Sequence, residues 1–139
     1  MEPYVHKVQY YETDKMGIVH HSNYIRWMEE ARIDFLERMG WPYDRLENEG
    51  IISPVIGVDC KYKANSLFPD RIEIKASVVE YTGVKFKIQY IMTKGETVVA
   101  EGHTEHCLVS LDGKILRIKK HYPELHQFFV QLTTPESFL

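Results

Sequence analysis

The chain has 139 residues, 44% of them hydrophobic, and 17 lysines and arginines against 20 aspartates and glutamates give a formal charge of −3. That size suits one domain over residues 1–132 with a polar tail at 133–139, and the charge leaves no electrostatic case for a nucleic-acid partner. No apolar run approaches the roughly 20 residues that span a bilayer, and the start M-E-P-Y-V-H-K has no signal-peptide pattern, so a cytoplasmic protein with no membrane span is expected.

Residues 4–11 alternate, with Tyr4, His6, Val8 and Tyr10 on one face, and predict a strand. Residues 12–21 follow neither period, contain Gly17 and read as a loop. From 23 to 39 the period becomes helical. Tyr24, Trp27 or Met28, Ala31, Phe35 and Met39 form one stripe, with Ile25, Arg32 and Leu36 beside it. Ser22 is the expected N-cap, with Asn23 as alternate, while Gly40 and Pro42 close the helix. Arg26 with Glu30 and Asp34 with Arg38 are spaced as i,i+4 ion pairs.

A partly helical connection at 41–50 leads to a strand at 55–63 with one wet face. Strands at 71–81 and 84–92 form a hairpin around Gly83. A long strand at 97–111 reaches the Asp112-Gly113 turn, which predicts a further strand at 115–118. Pro123 opens a short amphipathic helix carrying Leu125, Phe128, Phe129 and Leu132. The order predicts an α+β fold with a long central helix packed on a curved antiparallel sheet. Such a sheet leaves an edge open, so a homodimer, or a homotetramer built from dimers, is expected.

The candidate chemistry gathers before the helix. Asp14 lies in the loop that ends at the helix start, where free N–H groups and the helix dipole favour negative charge. A carboxylate beside an oxyanion site is a minimal acyl-transfer centre, the Asp acting as general base or as nucleophile. An Asp at such a place also serves as an ordinary turn residue. Adjacent His20 and His21 do not face one point, and no third ligand stands at zinc spacing, so no metal is expected. His103, Glu105 and Cys107 share a strand face but fit a mixed sheet surface. Cys60 and Cys107 have no C-x-x-C spacing, and reduced thiols are expected. Ser22 lacks a G-x-S-x-G elbow and reads as a cap, not a nucleophile.

The run Y-Y-E-T-D-K-M-G-I-V-H-H-S-N-Y-I-R-W-M-E-E-A-R resembles the signature of the hotdog-fold acyl-CoA thioesterases, of the 4-hydroxybenzoyl-CoA type and the Tol-Pal-associated type. The resemblance is densest over residues 8–40, and the strand order and I-S-P-V after the helix extend it to most of the chain. It implies Asp14 as the catalytic carboxylate, the backbone N–H at His21 as the group that polarises the thioester carbonyl, and Gly17 as the glycine that turns the loop past the substrate. His20, Ser22, Asn23 and Tyr24 at the helix start are the other candidate substrate contacts. Lys61 and Lys85 are candidate partners for the phosphates of coenzyme A, although paired lysines on a strand face are often simply solvated. Coenzyme A would be part of the substrate, so no cofactor is expected. Two alternatives are an acyl-carrier-protein thioester as substrate and a non-catalytic acyl-thioester binding protein on the same fold. A dehydratase would want a histidine and a carboxylate facing each other across a dimer tunnel, which this motif does not display.

Overall fold

A computed structural model describes residues 1–134 of the chain. One five-stranded sheet in the order β1-β3-β4-β5-β2, antiparallel throughout, is built from β1 (Tyr4–Lys7), β2 (Val55–Tyr62), β3 (Arg71–Tyr81), β4 (Lys85–Lys94) and β5 (Thr97–Cys107). Register shifts leave Val79 of β3 unpaired opposite β4 and Val99 of β5 unpaired opposite Met92 and Thr93 of β4, bulges of the kind that bend a sheet. Helix α1 (Ser22–Arg38) lies on that sheet, as the apolar stripe requires, and buries Tyr24, Trp27, Met28, Ala31, Phe35 and Leu36. The inward face of β3 and β4 meets it with Ile72, Ile74, Ile88, Tyr90 and Met92, each 1% exposed or less. Helix α2 (Tyr43–Asn48) follows α1, and α3 (Ile118–His121) and α4 (Pro123–Thr133) close the chain, with Leu125 and Phe129 of α4 in the core.

The helix sits close. A Cβ at Gly102 in β5 would collide with the carbonyl oxygen of Asp59 in β2 and with the Met28 side chain of α1, so only glycine lets the three elements meet there. A void enclosed by Leu36, Trp41, Phe86 and Phe129 has a volume of about 10 Å³, too little for more than a single water.

Several expectations change. The first strand stops at Lys7, because residues Tyr10–Glu12 coil into a 3₁₀ turn that leaves Tyr10 and Tyr11 exposed. The strand expected at 97–111 ends at Cys107. The strand expected at 115–118 does not form: after the turn at Asp112-Gly113, a single bridge joins Val109 to Ile115, and Ile118 starts α3. Ser22 is the first residue of α1 and not its cap; His21 holds the cap position with helical φ −56° and ψ −29° and makes no side-chain cap bond. Arg26 does not pair with Glu30, whose Oε1 instead accepts from the Tyr4 hydroxyl at 2.7 Å and faces His6 Nδ1 at 2.9 Å. The tail expected at 133–139 begins within α4 and from 135 onward lies outside the described residues.

Strand β2 is the outer strand beside β5, and in a single chain neither of its faces is well covered. Val55, Ile56, Val58 and Tyr62 are each 46–48% exposed, so the wet face expected of this strand is matched by an apolar face that is also open.

Candidate active site

The loop before α1 is held as a tight turn. Thr13 and Val19 form an antiparallel bridge, the Asp14 N–H donates to the Ile18 carbonyl at 2.8 Å, and the Gly17 N–H donates to the Asp14 carbonyl at 2.9 Å. Gly17 has φ +78°, a conformation that suits glycine and strains other residues. Asp14 Oδ1 accepts from the Met16 N–H at 2.8 Å, which fixes the side chain to its own turn. Among the described residues nothing donates to its second oxygen, Oδ2. The turn is anchored to the segment between β2 and β3 by the Val19 N–H on the Ser66 carbonyl at 2.9 Å and by a bridge from Ile18 to Leu67.

The start of α1 is tied to the same loop. The Glu12 carbonyl accepts from the His20 N–H at 2.9 Å and from Asn23 Nδ2 at 3.0 Å. The Ser22 N–H donates to His20 Nδ1 at 3.2 Å, and the Asn23 N–H to the His20 carbonyl at 3.0 Å. The His21 N–H, by contrast, has no acceptor among the described residues. It is the uncommitted donor at the positive end of a 17-residue helix. The His21 ring stacks on His20 at 4.3 Å and meets Tyr62 edge-on at 6.1 Å.

Asp14, His20, Ser22 and Asn23 line one open cleft of about 590 Å³, together with His6, Glu12, Arg26 and Glu30. The other candidates lie elsewhere. Gly17 shapes the turn without lining the cleft, and His21 does not line it either, although its neighbours His20 and Ser22 do. Tyr24 is 3% exposed, its hydroxyl donates to Ser66 Oγ at 3.0 Å, and burial raises its pKa. Within one chain it is a core residue. Lys61 is exposed on β2 opposite Glu101. Lys85 starts β4 opposite Cys107, whereas the Asp14 loop lies toward the Lys94 end of that strand, where Lys94 pairs with Asp70. Nine residues of strand, roughly 30 Å, separate Lys85 from Lys94, and Lys85 does not line the cleft.

His6, Glu12, Arg26 and Glu30 were not among the sequence candidates for this cleft. His6 was legible in part, since an ionisable residue on the inward face of a strand needs a buried partner. Glu12 is that partner, 5% exposed: Oε1 lies 2.8 Å from His6 Nε2 and accepts from the Gln9 N–H at 2.7 Å, and Oε2 accepts from the Trp27 indole at 2.8 Å. Burial would raise the Glu12 carboxyl, but the bonds from His6, Gln9 and Trp27 outweigh it and hold the group below its ordinary value. Among the described residues, no three His, Cys, Asp or Glu side chains are grouped to hold a metal ion, and His103 faces Asp59 at 3.1 Å. Cys60 and Cys107 are free thiols.

The family profile described as the thioesterase-like superfamily matches residues 8–131. The chain belongs to this superfamily. Its likeness to solved thioesterase-like structures extends over nearly the whole fold, and that fold is the hotdog fold. A Staphylococcus aureus DHNA-CoA thioesterase superposes with a TM-score of 0.87 at 30% identity, covering 94% of this chain and 89% of the other. A protein of known structure from Aquifex aeolicus gives a TM-score of 0.81 at 39% identity, covering 88% and 96%. The acyl-CoA thioester hydrolase YbgC of Escherichia coli O157:H7 is 26% identical over 68% of this chain and 72% of its own. As a thioesterase-like chain, this one carries its matched region through both the Asp14 turn and the start of α1.

Proposed function

We propose that the protein is an acyl-CoA thioesterase that hydrolyses the thioester of a small or medium acyl-CoA. Its relatives support the thioester hydrolase class: acyl-CoA hydrolysis is the activity named for the S. aureus and E. coli proteins. The observation that carries the assignment to residues is a carboxylate in the cleft with one uncommitted oxygen, Asp14, and an uncommitted backbone donor, the His21 N–H, in the chain between two residues that line the same cleft, His20 and Ser22. Asp14 takes a proton from water as the water oxygen bonds to the thioester carbon. The carbonyl oxygen gains the electron pair and is stabilised by the His21 N–H. Re-formation of the C=O bond breaks the C–S bond, and the thiolate leaves as coenzyme A after taking the proton from Asp14. Direct attack by Asp14, with hydrolysis of the resulting anhydride, uses the same two groups.

The reading extends to a cytoplasmic homodimer, or a tetramer of dimers, of the 4-hydroxybenzoyl-CoA or Tol-Pal-associated type. The exposed apolar edge of β2 supports self-pairing. Lys61, on that edge, and Arg26, in the cleft, are cations able to meet coenzyme A phosphates. Lys85, at the end of β4 opposite Cys107 and outside the cleft lining, is assigned to meet them from a neighbouring subunit. An acyl-carrier thioester is the second reading, favoured by the absence of Lys85 from that cleft.

The deciding experiment is a hydrolysis panel over aromatic, short and medium acyl-CoA and acyl-carrier thioesters, with Asp14→Asn as control. The reading expects turnover by the parent and a loss of about 10²–10⁴ in kcat for the variant. Turnover of no thioester by either protein replaces it with a binding module.

A further inference from the structure

Glu12 is a charged residue in the cleft that the reaction above does not use, yet it touches more of the site's framework than any group that the reaction does use. Its side chain joins three separate elements: His6 on β1, the Gln9 N–H at the 3₁₀ turn, and the Trp27 indole on α1. Its carbonyl joins two more points, the His20 N–H and the Asn23 side chain, which lie either side of His21. Two residues further on is Asp14. One residue therefore anchors both partners of the proposed chemistry, the carboxylate turn on one side and the helix start on the other.

The side-chain end of this anchor requires a carboxylate. Three donors converge on two oxygens in a site 5% exposed, and the far ring nitrogen of His6 is held in turn by Glu30 at 2.9 Å. An amide of the same shape has one oxygen for three donors, and its own NH₂ must face either the indole N–H or the pair from His6 and Gln9. A buried donor facing a donor is costly, and the strain is relieved by moving the loop. Asp14 and His21 must keep their relation to within a fraction of an ångström for an oxyanion donor to act, so displacement at Glu12 registers in turnover before it registers in binding.

We infer that Glu12 is a positioning residue for thioester hydrolysis, its carboxylate locked by His6, Gln9 and Trp27 so that its backbone holds the His21 N–H against the Asp14 turn. This rests on the catalytic reading of Asp14 and His21. It adds a distinct expectation: Glu12 acts on kcat through geometry and not through the quantity of folded protein.

The test uses Glu12→Gln, Trp27→Phe and the double variant, with kinetics, thermal melts and amide hydrogen exchange. Glu12→Gln is expected to lower kcat about 10–100-fold with KM within threefold, and to speed exchange of the His20 amide at least tenfold relative to Leu36 inside α1. Trp27→Phe removes the indole N–H, so in the double variant the glutamine NH₂ meets no opposing donor. There kcat is expected to recover to within threefold of Trp27→Phe alone, although the melting temperature falls further. A double variant whose kcat tracks its stability downward, or a Glu12→Gln protein with parental kcat and parental His20 exchange, overturns the proposal. If Glu12→Gln does not fold, Trp27→Phe alone still decides: a severalfold loss in kcat with faster His20 exchange supports the positioning role, and parental values for both overturn it. A parent that cleaves no thioester sinks the catalytic role of Asp14 and with it this effect on kcat, whereas a parent that is active and sensitive to Asp14→Asn but indifferent to Glu12→Gln sinks this inference alone.

Discussion

The guanidinium of Arg32 on α1 meets the hydroxyl of Tyr90 on β4 at 3.3 Å inside the core, and among the described residues no carboxylate joins them. Arg32 Nε donates to the Tyr43 hydroxyl at 2.8 Å. Beyond Tyr90 the chain of bonds runs to Thr104 at 2.8 Å, to His106 Nε2 at 2.9 Å, and from His106 Nδ1 to the Ser53 carbonyl at 3.0 Å. With His106 neutral and its hydrogen on Nδ1, every donor has an acceptor in one direction, from the cation to the segment that leads into β2.

This geometry makes the two ends of the Arg32 contact unequal. Tyr90→Phe leaves a buried guanidinium short of an acceptor and is expected to cost about 2–3 kcal/mol. Arg32→Met removes the buried charge along with its bonds and is expected to change stability by less than about 1 kcal/mol. Urea denaturation of both variants at pH 7 checks the order; an Arg32→Met loss larger than the Tyr90→Phe loss contradicts it.

His106 predicts an acid limb. Burial, outweighing its bond to the Ser53 carbonyl, pushes its pKa from 6.5 down to about 4. The unfolded chain therefore takes up a proton near pH 6.5 that the folded chain refuses until about pH 4. Stability is full above pH 6.5 and falls as the pH drops toward 4, by roughly 3 kcal/mol in all. In His106→Gln this part of the loss disappears. Denaturation midpoints at pH 7, 5.5 and 4 for both proteins measure the difference.

The oxyanion assignment is open to a backbone experiment. His21 has φ −56°, already within the range of proline, and its N–H is bonded to nothing among the described residues. His21→Pro deletes the donor at little structural cost and is expected to lower kcat by about 10²–10³. His21→Ala keeps the donor and is expected to retain kcat within about tenfold. Similar kcat for the proline and alanine variants places the oxyanion elsewhere.

Gly102→Ala puts a methyl group between Asp59 and Met28 where there is no room. An overpacking loss of about 1–3 kcal/mol is expected. Pairing it with Met28→Ala, which opens the space, is expected to recover part of that loss in a double-mutant cycle.

Val58→Lys places a charge on the apolar face of the outer strand. Light scattering after gel filtration is expected to show a dimeric or tetrameric parent and a variant shifted toward monomer. A monomeric parent removes the self-pairing reading.

Periodicity made the fold legible: the stripe from Tyr24 to Phe35 and the alternation of Ile72, Ile74, Ile88 and Tyr90 are the contacts of the finished core. Asp14 and the helix start were legible as a pair of neighbours in sequence. Glu12 was not, because a buried acid satisfied by His6, Gln9 and Trp27 follows no repeat and looks like any loop glutamate. For the same reason Glu30 was matched to Arg26 by helix spacing, whereas Tyr4 and His6 on the adjacent strand offered it less solvent and two bonds. The end of β1 was misjudged because the exposed Tyr10 and Tyr11 imitate the alternation of a strand that has already ended.

The close seat of α1 over Gly102 separates the packing that folds the chain from the surface open to a ligand. With the space beneath the helix filled by Met28 and the Asp59 backbone, a ligand finds no room at that point of the sheet, whereas the cleft before α1 stands open. Exposed cleft residues such as His20 and Arg26 can therefore be exchanged without disturbing the packing beneath the helix.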